Sequence, residues 1–94
     1  MYRINKMSLL PNKKIIKRVF SGKTLEASVY SQKYQLVHIR IVNLADISKL
    51  SIWTELYKGE NTLTIDISSL QKGPYKITVA FPEENTREEI FNVN

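Results

Sequence analysis

The chain has 94 residues, which is the size of one domain. Its hydrophobic fraction of 43% and charged fraction of 24% are ordinary for a globular protein, and the absence of cysteine excludes disulfides, thiolate metal sites and a cysteine nucleophile. The net charge of +5 is uneven, because residues 1–40 hold nine Lys or Arg and one acid, whereas residues 41–94 hold five and eight. A basic front half can attract phosphates or an anionic surface, although solvated strand faces and a basic leader produce the same count.

Residues 1–12 show no periodicity, and we predict that they form a loose leader before a single domain over residues 13–94. Their short apolar patch is smaller than the roughly 7–15 residues of a signal-peptide core. No stretch of the chain approaches the ~18 apolar residues of a membrane-spanning helix. These residues leave two readings open, an intracellular protein or a chain from which a signal peptide has been removed.

Apolar and polar residues alternate at every second position through most of the chain, which is the pattern of half-buried strands. Turn residues separate the alternating runs at intervals of about 8–15 residues, which favours a sandwich or a small barrel over an open sheet. The sequence therefore predicts an all-β protein, an immunoglobulin-like antiparallel β-sandwich of about seven strands. In chain order the predicted strands cover about residues 15–20, 24–30, 36–41, 50–57, 62–67, 75–81 and 87–93.

Residues 64–79 carry the most informative local pattern. A strand ends at Ile67, Leu70 is a lone apolar residue in the following turn, and Tyr75 begins the next strand. This order is similar to the tyrosine corner of immunoglobulin-like sandwiches, in which a Tyr hydroxyl bonds back to the upstream backbone. We expect Leu70 to close one end of the core and Tyr75 to brace the crossover between the sheets.

The pattern Ile-Asp-x-Ser-x-Leu-x-x-Gly-x-Tyr over residues 65–75 resembles two related groups of exported bacterial β-sandwich domains. One is the C-terminal sorting domain of type IX secretion cargo. The other, which fits better, is a family of small exported seven-stranded sandwiches of unknown function from gut anaerobes. The resemblance covers about residues 21–93. It implies a secreted or periplasmic location and a signal peptide that these residues do not contain, and it implies no biochemical activity.

The residue types needed for chemistry do not form a recognisable pattern, so we expect a protein that is not an enzyme and holds no cofactor or metal. His38 is the sole histidine, and without cysteine it cannot supply an ordinary zinc site. The three glycines stand in separate turns and do not form a phosphate-binding loop. The acids lack the Asp/Gly order of a calcium loop and are predicted to form a solvated hairpin tip: Glu83, Glu84, Glu88 and Glu89.

Trp53 and Tyr57 fall on the outward phase of their strand, with Glu55 between them. They either form an exposed apolar shelf that binds a sugar or a protein, or they cover the sheet edge and pack under the leader. The covering role is the favoured hypothesis, because Trp is often largely buried even at outward positions. The candidate interaction surface comprises Trp53, Tyr57, Tyr30, His38 and Arg40.

Two classes of function follow from these patterns. The first is a non-catalytic, exported β-sandwich module that binds a protein or glycan of the bacterial cell envelope, through a strand face, a loop or an open sheet edge. The alternative is a basic nucleic-acid-binding β-barrel, in which Tyr30, Tyr34, Trp53 and Tyr57 stack on bases beside Arg18, Lys33, Arg40 and Lys76. Nucleic acid is the less favoured partner, because the basic residues are not interleaved with the aromatic residues.

Overall fold

A computed structural model describes residues 14–20 and 22–94, and within this part the chain is all β. Its seven strands confirm the seven that the alternation predicts, with bounds that agree to within about three residues. The predicted leader over residues 1–12 lies outside the described residues. The strands are β1 (Ile16–Phe20), β2 (Thr24–Ser31), β3 (Gln35–Asn43), β4 (Ser48–Leu56), β5 (Gly59–Asp66), β6 (Gly73–Ala80) and β7 (Arg87–Val93).

The strands form two sheets with antiparallel pairing throughout. One sheet has the order β1-β2-β5, and the other has the order β4-β3-β6-β7. The chain changes sheet after β2, β4 and β5, whereas β1 and β2, β3 and β4, and β6 and β7 are paired neighbours in one sheet. This arrangement confirms the predicted immunoglobulin-like β-sandwich, with the fourth strand paired to the third at a sheet edge.

The core lies between the sheets and is built from the inward phase of each alternating run. The central strands β3 and β6 contribute fully buried Val37, Ile39, Ile77 and Val79. Burying a branched aliphatic side chain of this size stabilises the fold by roughly 1.5–3 kcal/mol. Because side chains alternate between faces, the same strands must present His38, Arg40 and other residues of the opposite phase on the outer surface.

The crossover between β5 and β6 has the predicted tyrosine corner. The hydroxyl of Tyr75 donates a 2.7 Å hydrogen bond to the carbonyl oxygen of Gln71. Leu70 is half-buried and packs against the core, as expected for a residue that closes its end. Gly73 begins β6 with a φ of 139°, a backbone conformation that residues with a Cβ atom rarely adopt.

The acids near the last hairpin do not share one solvated tip. Glu83, Glu84 and Glu88 form separate ion pairs, at 3.1, 3.3 and 3.7 Å, with Lys33, Arg87 and Lys76 respectively. The prediction of a solvated tip is wrong for Glu89, which is half-buried and accepts hydrogen bonds from the amides of Ile15 and Ile16. The reason is its phase, because Glu89 shares the inward side of β7 with Phe91 and Val93.

Candidate functional site

The outer face of β3 and β4 brings most of the predicted interaction residues together. In the register of this strand pair, His38 lies directly opposite Trp53, and Leu36 lies directly opposite Glu55. Directly opposed side chains on one face of an antiparallel pair are close enough to contact each other. Tyr57 follows the end of β4, and Tyr34 precedes β3 beside it.

The aromatic residues of this face are exposed in the part of the chain that the structure describes. Trp53 is 64% exposed and Tyr57 is 60% exposed, which favours the shelf hypothesis over the hypothesis that they cover the sheet edge. Tyr34 and Leu36 add further exposed apolar surface at 56% and 48%. We call the set the β3–β4 shelf, defined by Tyr34, Leu36, His38, Trp53 and Tyr57.

Trp53 and His38 stack across the two strands. Their ring centroids are 4.3 Å apart and their planes differ by 11°. Parallel rings at this distance lie face to face, so one face of the indole is covered by His38 and the other faces the free edge of β4. The Nε2 atom of His38 is 2.6 Å from the Oγ atom of Ser51 on β4, and this hydrogen bond fixes the orientation of the imidazole.

Asn61 positions Tyr57 at the other end of the shelf. Its Oδ1 atom accepts a 2.9 Å hydrogen bond from the amide of Tyr57, and its Nδ2 atom donates to the carbonyl oxygen of Tyr57 at 2.8 Å. The same amide group also donates to the carbonyl oxygens of Gly59 and Val29. One side chain therefore ties the β4–β5 crossover, and with it Tyr57, to strand β2.

Glu55 is the acidic group of this surface. The hydroxyl of Tyr57 donates a 3.1 Å hydrogen bond to its carboxylate, and Tyr34 lies beside Tyr57 with ring centroids 5.3 Å apart. Hydrogen bonding to Glu55 raises the pKa of Tyr57 and of Tyr34 above the ordinary value for a phenol. The Tyr57 hydroxyl is thus engaged by Glu55, which holds this ring against the shelf.

The remaining two predicted residues lie outside this cluster. Arg40 is on the same outer face, one row from His38, where it is half-buried between Ser51 and Thr78 of the neighbouring strands. Tyr30 projects from the outer face of β2, on the other sheet, opposite Glu60 of β5. The structure thus unites Trp53, Tyr57 and His38, places Arg40 at their border and separates Tyr30 from them.

The basic residues suggested for nucleic-acid binding do not all share one surface, because Arg40 and Lys76 lie on the outer face of β3 and β6 whereas Arg18 lies on the other sheet. Arg18 is on β1 and pairs with Glu26 at 3.2 Å, whereas Lys33 pairs with Glu83 in another part of the molecule. Lys76 on β6 is 3.6 Å from Asp46 and 3.7 Å from Glu88. Each of these three cations lies beside an acid.

The sequence interpretation missed Leu36 and Asn61. Leu36 could have been found, because it shares the outward phase of β3 with His38 and Arg40 and is as apolar as the core residues beside it. Asn61 gave no comparable signal, since its role depends on where the chain crosses between the sheets.

Within residues 14–20 and 22–94, no group of three or more His, Cys, Asp or Glu side chains is arranged to hold a metal ion. The same part of the chain contains no helix of the length and apolarity needed to cross a membrane.

Comparison of the chain with protein-family models, with curated proteins and with solved structures finds no match in any of the three. The described residues form an immunoglobulin-like β-sandwich with an exposed aromatic shelf on the outer face of β3 and β4.

Proposed function

We propose that the protein is a non-catalytic binding module of the bacterial cell envelope, and that the β3–β4 shelf contacts its protein or glycan partner. One observation carries the proposal, namely that large apolar side chains lie exposed side by side on this strand face. Exposed apolar residues scattered singly over a surface need no explanation, whereas a contiguous cluster is typical of a binding site.

The composition of the shelf suits binding. Trp and Tyr supply a large apolar area with few rotatable bonds, and they are the residues most enriched among those that dominate interface energies. The Trp53–His38 stack and the bonds from Asn61 to Tyr57 hold parts of this area in place before a partner arrives. A preorganised surface loses less conformational entropy on binding than a mobile one.

The envelope location is the part of the proposal that rests on sequence resemblance. The Ile-Asp-x-Ser-x-Leu-x-x-Gly-x-Tyr pattern over residues 65–75 resembles exported bacterial sandwiches, and the tyrosine corner in that segment suits such a fold. Fractionation of the native cell, with sequencing of the mature N-terminus, tests this part. Recovery of a processed chain from the periplasm, outer membrane or medium supports export, and recovery in the cytoplasm with Met1 intact contradicts it.

The binding test compares a shelf variant with a control variant that loses an exposed apolar residue outside the shelf. Trp53→Ala/Tyr57→Ala removes two of the five shelf side chains, whereas Ile90→Ala removes an apolar side chain of similar exposure, 65%, from the outer face of β7 on the same sheet. Each protein is immobilised and offered purified envelope polysaccharides and, separately, detergent-solubilised envelope proteins. The proposal expects binding by the wild type and by Ile90→Ala, and loss of binding by the double variant.

Two outcomes would contradict the proposal. Equal binding by the wild type and the Trp53→Ala/Tyr57→Ala variant would place the binding surface elsewhere on the molecule. Equal loss in the Ile90→Ala variant would show that retention depends on general surface hydrophobicity. Thermal unfolding of each variant confirms that the comparison is made between folded proteins.

A further inference from the structure

The four edge strands of the sandwich are not equally protected against pairing with another chain. Strand β1 has only five residues and a register shift after Ile16, and β7 points the charged residues Arg87 and Glu89 inward. Glu89 also accepts hydrogen bonds from the amides of Ile15 and Ile16, so these two donors are not free to pair with another chain. Short edges, bulges and inward-pointing charges are the features by which natural sheets prevent edge-to-edge association.

The opposite side of the sandwich has longer edge strands, and its register shift lies at Lys49, near the start of β4. Strands β4 and β5 are the free edges there, with nine and eight residues and no proline. Their inward residues Leu50, Ile52 and Leu63 are only half-buried, although the corresponding positions on β3 and β6 are fully buried. A groove of about 200 Å³ lies between the two edges and is lined by four aliphatic side chains and three threonines: Ile39, Ile52, Leu63, Ile65, Thr54, Thr62 and Thr64.

We propose that β4 pairs with β4 of a second copy of this chain, antiparallel, about a two-fold axis through Ile52. The charged residues of β4 favour a second copy of the chain as the partner and antiparallel as the direction of pairing. Lys49 and Glu55 are the charged residues of β4, and each lies three positions from Ile52. Antiparallel pairing about Ile52 therefore sets Lys49 of each copy opposite Glu55 of the other, whereas parallel pairing in the same register sets like charges together.

The other residues of β4 are complementary in the same register. Ser51 lies opposite Trp53 of the second copy, so a small side chain meets the indole face that His38 leaves free. The two Ile52 side chains meet on the inner face, where they cover the apolar groove. Lys49 is the extra residue where the β3–β4 register shifts, and it is exposed at the border of a cavity that Leu70 and Tyr75 also line.

Pairing through β4 joins the two four-stranded sheets into one sheet of eight strands. Directly opposed residues of an antiparallel pair project from the same face, so the two β3–β4 shelves become neighbours on one continuous surface. The inference is carried by the strand edges and does not depend on which partner the shelves bind. If the shelves do bind a partner, the dimer presents two sites to it, which raises avidity toward a repetitive ligand.

Sedimentation equilibrium of charge variants tests the pairing directly. The wild type is expected to dimerise between about 1 µM and 1 mM, the range of an interface smaller than the standard size. Lys49→Glu and Glu55→Lys each replace two attractions by two repulsions, so each is expected to raise the dissociation constant about tenfold or more. The variant with both substitutions, and an equimolar mixture of the two single variants, are each expected to recover dimers. Lys58→Glu changes the net charge by the same amount as Lys49→Glu, but at a position outside β4. This variant is expected to dimerise as the wild type does.

Single cysteines report the register, because the native chain contains none. Under mild oxidation Ile52→Cys is expected to form an intermolecular disulfide, since directly opposed residues have Cα atoms within bridging distance. Thr54→Cys is a matched control on the same face of β4, where two copies of the residue lie about 13 Å apart along the strands. A wild type that stays monomeric to about 1 mM, charge variants that dimerise unchanged, or equally fast cross-linking of both cysteine variants would overturn the proposal.

Discussion

The carboxylate of Glu89 in the last strand accepts a 2.6 Å hydrogen bond from the backbone amide of Ile15, just before the first strand. The same oxygen accepts a second hydrogen bond, at 3.0 Å, from the amide of Ile16. The carbonyl oxygen of Ile15 accepts a 2.7 Å hydrogen bond from the amide of Ser28 in β2. Glu89 therefore links the two sheets along the edge where β1 meets β7.

Replacing Glu89 should destabilise the fold through these two amides. Glu89→Ala leaves both donors without their charged acceptor in a half-buried position, which is expected to lower the free energy of unfolding by about 1–3 kcal/mol. Glu89→Gln keeps one carbonyl oxygen as an acceptor and should lose less. Urea denaturation followed by intrinsic fluorescence measures both changes.

Glu88 provides the control for this prediction. It is the neighbouring acid on the same strand, but it is exposed and makes a long ion pair of 3.7 Å with Lys76. Exposed pairs contribute little, so Glu88→Ala should change the unfolding free energy by less than about 1 kcal/mol. Equal losses in the two alanine variants would contradict a specific role for Glu89.

The tyrosine corner gives a second stability prediction. Tyr75→Phe removes the hydrogen bond to the carbonyl oxygen of Gln71 while the buried ring stays in place. The expected loss is about 1 kcal/mol, the usual net contribution of one hydrogen bond. Tyr57→Phe is the matched control, because its hydroxyl bonds Glu55 on an exposed surface and its loss should be close to neutral. If Tyr75→Phe left the unfolding free energy unchanged in the same urea denaturation experiment, the tyrosine corner would not stabilise the fold.

The strands and the core were predictable from the sequence because they depend on local alternation. A strand with one buried face must place apolar residues at every second position, and the runs around Ile39 and Ile77 do so without interruption. The outward phase of the β3 run predicts an outer-face position for His38, and the outward phase of the β4 run predicts one for Trp53 and Tyr57. The corner at Tyr75 was predictable as well, since it is set by residues close together in sequence.

Contacts between distant parts of the chain were not predictable in this way. Alternation says which face a residue takes but not which strand lies beside it, so the stacking of His38 on Trp53 required the β3–β4 register. Glu89 was read as part of an acidic run, although its inward phase meant that it had to find buried donors. Tyr30 has the outward phase that the prediction required, but it lies on the other sheet.

Trp53 provides a third prediction, which separates surface from core. Its exposure of 64% means that Trp53→Ala removes little buried area, and the unfolding free energy should change by no more than about 1 kcal/mol. Ile39, which is 2% exposed on the paired strand, is the comparison, and Ile39→Ala should lose about 2–5 kcal/mol through a cavity. Thermal and urea unfolding of both variants measure the difference. If Trp53→Ala lost as much unfolding free energy as Ile39→Ala, the indole would belong to the core and not to the shelf.

The last prediction concerns pH and the turn that precedes the tyrosine corner. The Oδ1 atom of Asp66 accepts hydrogen bonds from the hydroxyl of Ser68 at 2.7 Å and from its amide at 2.9 Å. These bonds favour the carboxylate and hold the pKa of Asp66 below its ordinary value. A carboxyl group whose pKa is lowered by folding stabilises the folded state above its unfolded-state pKa of about 3.9, and this contribution disappears as the pH falls through the lower, folded-state value.

Asp66→Asn isolates this contribution because an amide keeps the shape of the side chain but does not titrate. The wild type should exceed the variant in unfolding free energy at neutral pH, and the difference should shrink between about pH 5 and pH 2. Ser68→Ala removes the hydroxyl bond but keeps the amide bond, so the pKa of Asp66 should move back toward its ordinary value in an NMR titration of the carboxyl carbon. Parallel stability curves for the wild type and Asp66→Asn over this pH range would show that the turn does not depend on the charge of Asp66.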